Sequence, residues 1–383
     1  MTDLPMIDEP PQLAPGGAGQ PTPEPAPPEE ETKIGASRGL VDWLTRNKTS
    51  FAFTSYQSGR LLVVGAMPDG TVSVNQQLFG RAMGICWDRG GLWLASHMQL
   101  WRLENILPKG TLAEGGFDLS LMARTTHITG TIDVHEVAVD DSGRPIFVNT
   151  SYSCLAMLDP LQSFRPIWKP AFISELVRED RCHLNGLGML NGRPKYVTAV
   201  SQTDVASGWH GRPLPKGVLI DVQEDRIVTA DLSMPHSPRI TADGKVYAVD
   251  SGRGYLIEID PRTGEVTDIA FCPGFLRGLA ITGKFALVTV SKPRYGTFQD
   301  IPVGEELARR DMTPICGVLV IDLTDGTIVE WLRLEGYVNE LFTVELMPGV
   351  KCPMVVGPST AEFPETITFD PEITPLEPVS SGA

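Results

Sequence analysis

HSPRITADGKVYAVDSGRGYLIEID, residues 236–260, decides the fold. It reads as a short strand opening on a histidine, a turn at Asp243-Gly244, and a second apolar strand (KVYAVD, 245–250). A polar turn and a third strand ending in Asp (YLIEID, 255–260) complete it. The same order precedes it twice, in HEVAVDDSGRPIFVNTSYSCLAMLD (135–159) and in HLNGLGMLNGRPKYVTAVS (183–201). Three of the six histidines therefore open three consecutive copies. Strand pairs of the same kind occur at 90–96 with 99–103, at 195–200 with 217–221, and at 284–289 with 317–322. Three-strand units separated by turn signals and recurring at roughly 40 to 60 residues predict a β-propeller.

Inner strands start near Gly84 and at Glu136, Gly186, Pro238, Gly278 and Glu340, which predicts an all-β, six-bladed ring. The start at Glu340 has little chain after it, and the strands SFAFTS (50–55) and RLLVVG (60–65) have no inner strand before them. The two ends are thus expected to share one blade, closing the ring and removing sheet edges. A single propeller domain is expected over 49–360.

Residues 1–33 carry nine prolines and many acids with few aromatic or branched apolar side chains, so a disordered arm is expected there. The segment 361–383 repeats that character and is expected to be a disordered tail. No basic stretch leads into an apolar core at the N-terminus, and no run of 18 apolar residues occurs, so a cytoplasmic chain without a membrane partner is expected. The six cysteines are scattered without a CxxC and sit in apolar strands, as small hydrophobes do. A net charge of −15 with no basic stripe argues against nucleic acid. Oligomeric state is not legible.

In an antiparallel meander, the start of the inner strand and the end of the second strand lie at one edge. Met83, His135, Glu136, His183, Asn185, His236, Arg277 and Glu340 are expected on that edge. Two long excursions, 201–216 and 291–315, leave from it and are expected to roof the channel, because loops this long in a compact domain usually serve function. Imidazoles of His135, His183 and His236 form a candidate metal set, suited to iron, copper or zinc. Aligned on the strand, however, His183 falls one or two residues early. Asn185 is then the third group, which would favour an oxygen-preferring ion such as calcium or manganese. The competing reading is that each histidine caps its own turn.

Glu340, Glu136 and Arg277 are candidate catalytic groups, Arg277 through an anionic substrate group or, alternatively, through a salt bridge to Glu340 or Asp250. Asn185, Arg239, Trp209, Arg294 and Tyr295 are candidate substrate-binding groups. No GxSxG elbow, Walker loop, dinucleotide fingerprint, HExxH or EF-hand loop is present.

The blocks MPHSPR (234–239), DSGRG (250–254), PGFLRGLA (273–280), VNTSYSCL (148–155) and RPKYVTA (193–199) resemble a bacterial protein family of unknown function. The resemblance spans nearly the whole ring. Where that family has Trp-Arg in the first long loop, this chain has WHGR (209–212). In architecture the ring is also similar to six-bladed lactonases and streptogramin-type lyases, which implies a divalent ion at the axis; fold alone does not establish function. Two functions follow as expectations. One is a metal-dependent enzyme (oxidoreductase, hydrolase or lyase) acting on a small molecule or peptide. The other is a non-catalytic module that binds such a ligand.

Overall fold

The computed structural model describes residues 31–210, 216–294, 296–298, 301–370 and 372. Most of the arm 1–33 and of the tail 361–383 lies outside them. Six sheets, each built on antiparallel neighbours, follow one another around an axis. The first five blades have inner strands Ile85–Asp88, Val134–Val139, Leu184–Leu190, Pro235–Ile240 and Phe275–Thr282. The sixth combines Val344–Pro348 from the end of the chain with Thr49–Ser55, Arg60–Ala66 and Val72–Leu78 from its start. Phe53 faces Val344 and Thr49 faces Pro348, so a hydrogen-bonded ladder joins the two ends as the sequence predicts.

Each blade has four strands, not three. The fourth strands, such as Arg165–Trp168 and Arg226–Leu232, are largely exposed and lack a continuous apolar face, which hides them from a reading based on hydrophobic runs. Second and third strands such as Val246–Asp250 and Cys316–Asp322 are buried along their whole length and read plainly. Two outer additions seal the ring. Lys33–Ala36 extends the fifth blade beyond Ile328–Glu335, and Pro353–Val356 runs parallel to Leu119–Met122 on the first.

The core lies between blades. Leu40, Trp43 and Leu44 of the helix Leu40–Asn47 cover apolar side chains of the fifth and sixth blades. The excursion 291–315 contains a helix, Pro302–Arg309, anchored by Val303 and Leu307, which are four residues apart on one face. Among the described residues no helix is long and apolar enough to cross a membrane.

Candidate functional site: a cationic pocket at the propeller axis

The inner strands begin with a repeated backbone device. Arg81, Asp133, His183 and Met234 all adopt left-handed φ values of 53°, 57°, 50° and 53°. Two residues after them come Met83, His135, Asn185 and His236. Strand pairing gives the same equivalence, since Val134 faces Asn149, Leu184 faces Ala199 and Pro235 faces Asp250. The register slip visible in the sequence is therefore real: His183 occupies the turn position, and Asn185 is the counterpart of His135 and His236. The ladder shifts register at His135–Glu136, Asn185, Ser237–Pro238 and Arg277–Gly278. Such bulges rotate the strand end and re-aim its side chains.

A cavity of about 500 Å³ opens at this end of the axis. His135, His183, His236, Trp209, Arg277, Arg294 and Glu340, all singled out from sequence, line it. Both long excursions contribute, through Trp209 and His210 and through Lys292, Arg294, Thr297, Phe298 and Ile301. Tyr295 lies outside the described residues.

His135 and His236 share one solution. The Nδ1–H of His135 points at the carbonyl of Asp133 (3.1 Å) and at Thr150 Oγ1 (2.8 Å), whose own hydrogen goes to Leu184 O (2.6 Å). That of His236 points at the carbonyl of Met234 and at Ser251 Oγ, both at 2.9 Å. Turn capping by histidine is thus realised twice. Burial pushes the His135 imidazole down to about 4, against the pull of Asp133 and with the help of His183. Burial, Arg277 and His135 hold His236 well below the ordinary histidine range. Both rings are neutral at pH 7.

His183 is held differently. Its Nδ1 lies 2.8 Å from Asp180 Oδ2, which also accepts a 2.9 Å hydrogen bond from Trp209 Nε1. Burial works to raise the Asp180 carboxyl, but the His183 bond, the charges of His183 and His135 and the Trp209 bond outweigh it and hold it below the usual range. The His183 ring lies 4.1 Å from that of Trp209 and meets His135 edge-on at 4.8 Å.

On the opposite wall Glu340 is the hub. Arg294 grips it through Nε (3.1 and 3.2 Å) and Nη2 (3.1 Å), and Tyr56 donates its hydroxyl to it. Arg277 stands 3.7 Å from Glu340 and 3.3 Å from the Tyr56 hydroxyl, so the salt bridge is the pairing observed. Its guanidinium lies among the rings of Phe275, Tyr56 and Phe342, at 4.7, 5.1 and 5.8 Å. Burial alone would raise Glu340, but Arg294, Tyr56 and Arg277 keep it below the usual carboxylate range.

Three candidates do not line the cavity. Glu136 turns inward and is ion-paired with Arg239, while accepting from Leu187 N at 3.0 Å and from Ser237 Oγ. Asn185 is buried, takes a 2.6 Å bond from Thr198, and gives its amide to His236 Nε2 at 3.4 Å. Sequence reasoning missed Tyr56, Asp133 and Asp180. An acid two residues before His135 and three before His183 was the available signal for the aspartates. Tyr56 follows the closing strand, and nothing local marks it.

A metal set would need the three imidazoles to turn free nitrogens toward one point. Each ties Nδ1 to an oxygen, as ligating imidazoles do. Against that, Asn185 already addresses His236 Nε2, and no group of three His, Cys, Asp or Glu side chains among the described residues is assembled to hold an ion. As arranged, these residues do not form a donor set.

A chain from a crystal structure of a nidogen/laminin complex superposes with a TM-score of 0.51 at 13% identity, covering 79% of this chain and 100% of that one. At that identity the likeness concerns the fold alone. No curated protein matches the chain. Residues 38–356 match the model of a family described as Domain of unknown function (DUF4915), and the chain belongs to that family.

Proposed function

We propose that the chain binds a small organic anion, a carboxylate or phosphate with an apolar or aromatic body, in the axial pocket. One observation carries this reading. Among the described residues lining the cavity, Arg81, Arg277, Lys292 and Arg294 face only two carboxylates, Asp133 and Glu340. The excess of cations stands out in a chain of net charge −15. Asp133 is taken by Arg81 at 2.5 Å and Glu340 by Arg294 through its fork, which leaves Arg277 and Lys292 the least committed. A guanidinium already flanked by three rings offers charge and an apolar surround together, as a compact anion with a hydrophobic body requires.

Calorimetric titration with benzoate, phenyl phosphate and the uncharged benzyl alcohol tests this. At least one anion is expected to bind tenfold or more tightly than the alcohol, a difference of about 1.4 kcal/mol. Arg277→Met and Lys292→Met should each abolish most of that difference. Equal binding of all three probes, or of none, would overturn the reading. So would one equivalent of iron, copper or zinc in protein purified without a tag or chelator, lost in both His135→Ala and His236→Ala, since the donor set would then assemble around an ion.

A further inference from the structure

The three imidazoles around the pocket are not interchangeable, and the difference points to chemistry. His135 and His236 give their Nδ1–H to neutral oxygens, and Asn185 already addresses Nε2 of His236. The acid beside His135, Asp133, lies 3.7 Å from its Nδ1 and is taken by Arg81. His183 alone has a carboxylate at hydrogen-bond distance, and that carboxylate is itself fixed. Asp180 sits at a left-handed turn, with φ 44°, that ties its backbone N to Ser151 O at 2.9 Å. Its Oδ2 receives His183 and Trp209, and its buried Oδ1 has no donor among the described residues. The loop that carries Trp209 is fastened to the same turn by Ser207 N donating to Glu179 O at 2.8 Å. Loop, acid and imidazole are one unit. His183 Nε2 has no protein partner among the described residues, and the ring lines the cavity.

From this arrangement we infer that His183 is the proton acceptor of a hydrolytic site for small carboxylic esters, with Asp180 as its positioning residue. The carboxylate holds the proton on Nδ1, so Nε2 presents its lone pair, and it offers the counter-charge for the imidazolium formed on proton uptake. The step balances without a cofactor. A water O–H bond breaks and its proton passes to His183 Nε2 while the water oxygen adds to the acyl carbon. The ester C–O bond then breaks, and the departing oxygen takes the proton back from His183. The cations of the cavity offer charge to the oxyanion between these steps. The inference deepens the anion reading only in assuming that the substrate occupies the same pocket.

The probe is 4-nitrophenyl acetate, with release of 4-nitrophenolate followed for the full chain and for His183→Gln, Asp180→Asn and, as a control outside the cavity, His127→Gln. Both site variants are expected to lose at least tenfold in kcat with KM little changed, and the control none. Nitrogen-15 NMR gives a readout that a structural role would not move. The His183 proton is expected on Nδ1 in the wild type and on Nε2 in Asp180→Asn, because an amide can donate to Nδ1. Ester cleavage that is absent, or equal in all four proteins, would overturn the inference, as would an unchanged tautomer in Asp180→Asn. Benzoate binding with no His183-dependent cleavage would sink the hydrolytic role and leave the anion pocket standing. Cleavage without anion binding would do the reverse.

Discussion

Two polar clusters hang on the same inner strands a few residues apart, and they are built on opposite terms. At the strand starts, His135, His183, His236, Arg277 and Glu340 surround an open cavity. Deeper along the axis, Glu136 and Arg239 close on one another across 103 residues of sequence, with Glu345 nearby. The deep pair is nearly sealed: the Glu136 side chain keeps 4% of its exposure and that of Arg239 21%. Burial of charge is thus not by itself a mark of function. The Glu136–Arg239 pair ties the second blade to the fourth across the third, where Glu136 accepts from Leu187 N and Arg239 donates to Leu187 O, whereas charges left partly committed around a void are available to a ligand.

The largest effect that separates the two regions comes from removing one cation in each. Arg239→Met leaves Glu136 buried with only Leu187 N and Ser237 Oγ as donors, and is expected to cost about 3–5 kcal/mol in urea unfolding. Adding Glu136→Gln should recover much of it, because the double variant no longer buries an unpaired charge. Arg277→Met removes a cation from Glu340, which keeps Arg294 and Tyr56, so its cost is expected to stay under about 1.5 kcal/mol. Equal losses at the two sites would mean that Arg277 is as firmly committed to Glu340 as Arg239 is to Glu136.

How much of this was legible follows from where each signal resides. The ring, its six starts and its closure were readable because second and third strands such as Val246–Asp250 and Cys316–Asp322 are buried throughout and write continuous apolar runs. The fourth strands were not, because half-exposed edges carry mixed residues. The histidines announced themselves by repetition, and even the misfit of His183 was visible in its spacing. What spacing could not show was that a left-handed residue precedes each of four axial positions, and that His183 is itself one of them. Asp180 became a partner only through the turn that folds it back. Glu136 and Arg239 read as site residues because they adjoin the histidines, and the strand bulges turned them away from the cavity and toward each other. The helix Pro302–Arg309 was hidden in a loop reading because its apolar face amounts to Val303 and Leu307 alone.

A second difference concerns acid. The His135 imidazole titrates near 4 in the folded chain against about 6.5 when exposed, and His236 is displaced in the same direction. Between those values the unfolded chain holds more protons, so stability rises with pH across roughly 4 to 6.5 and is lost as the pH falls through that window. Thermal melting is expected to show that slope, by about 2–3 kcal/mol for His135. In His135→Gln part of it should vanish. A slope between pH 6.5 and 4.5 that is the same in the wild type and in His135→Gln would mean that the His135 ring is solvated and that pocket and deep cluster differ less in their desolvation.

The deep cluster should respond with the opposite sign. Burial, opposed by Arg239 and aided by Glu136, pushes the Glu345 carboxyl up to about 7. The folded chain then holds a proton that the unfolded chain has already released, over the window from about 4.5 to 7. Stability therefore falls as pH rises through it. Glu345 is half-buried, which allows water to screen part of the penalty, so the effect is expected to be about 1–2 kcal/mol. Glu345→Gln carries no charge at any pH and should melt higher than the wild type at pH 8, with the gap closing by pH 4.5. The same substitution should leave benzoate binding untouched, because Glu345 does not line the cavity. A variant that gained no stability at pH 8 would mean that Arg239 neutralises both carboxylates at once. The deep cluster would then be a fully satisfied network, and only the pocket would retain charge in search of a partner.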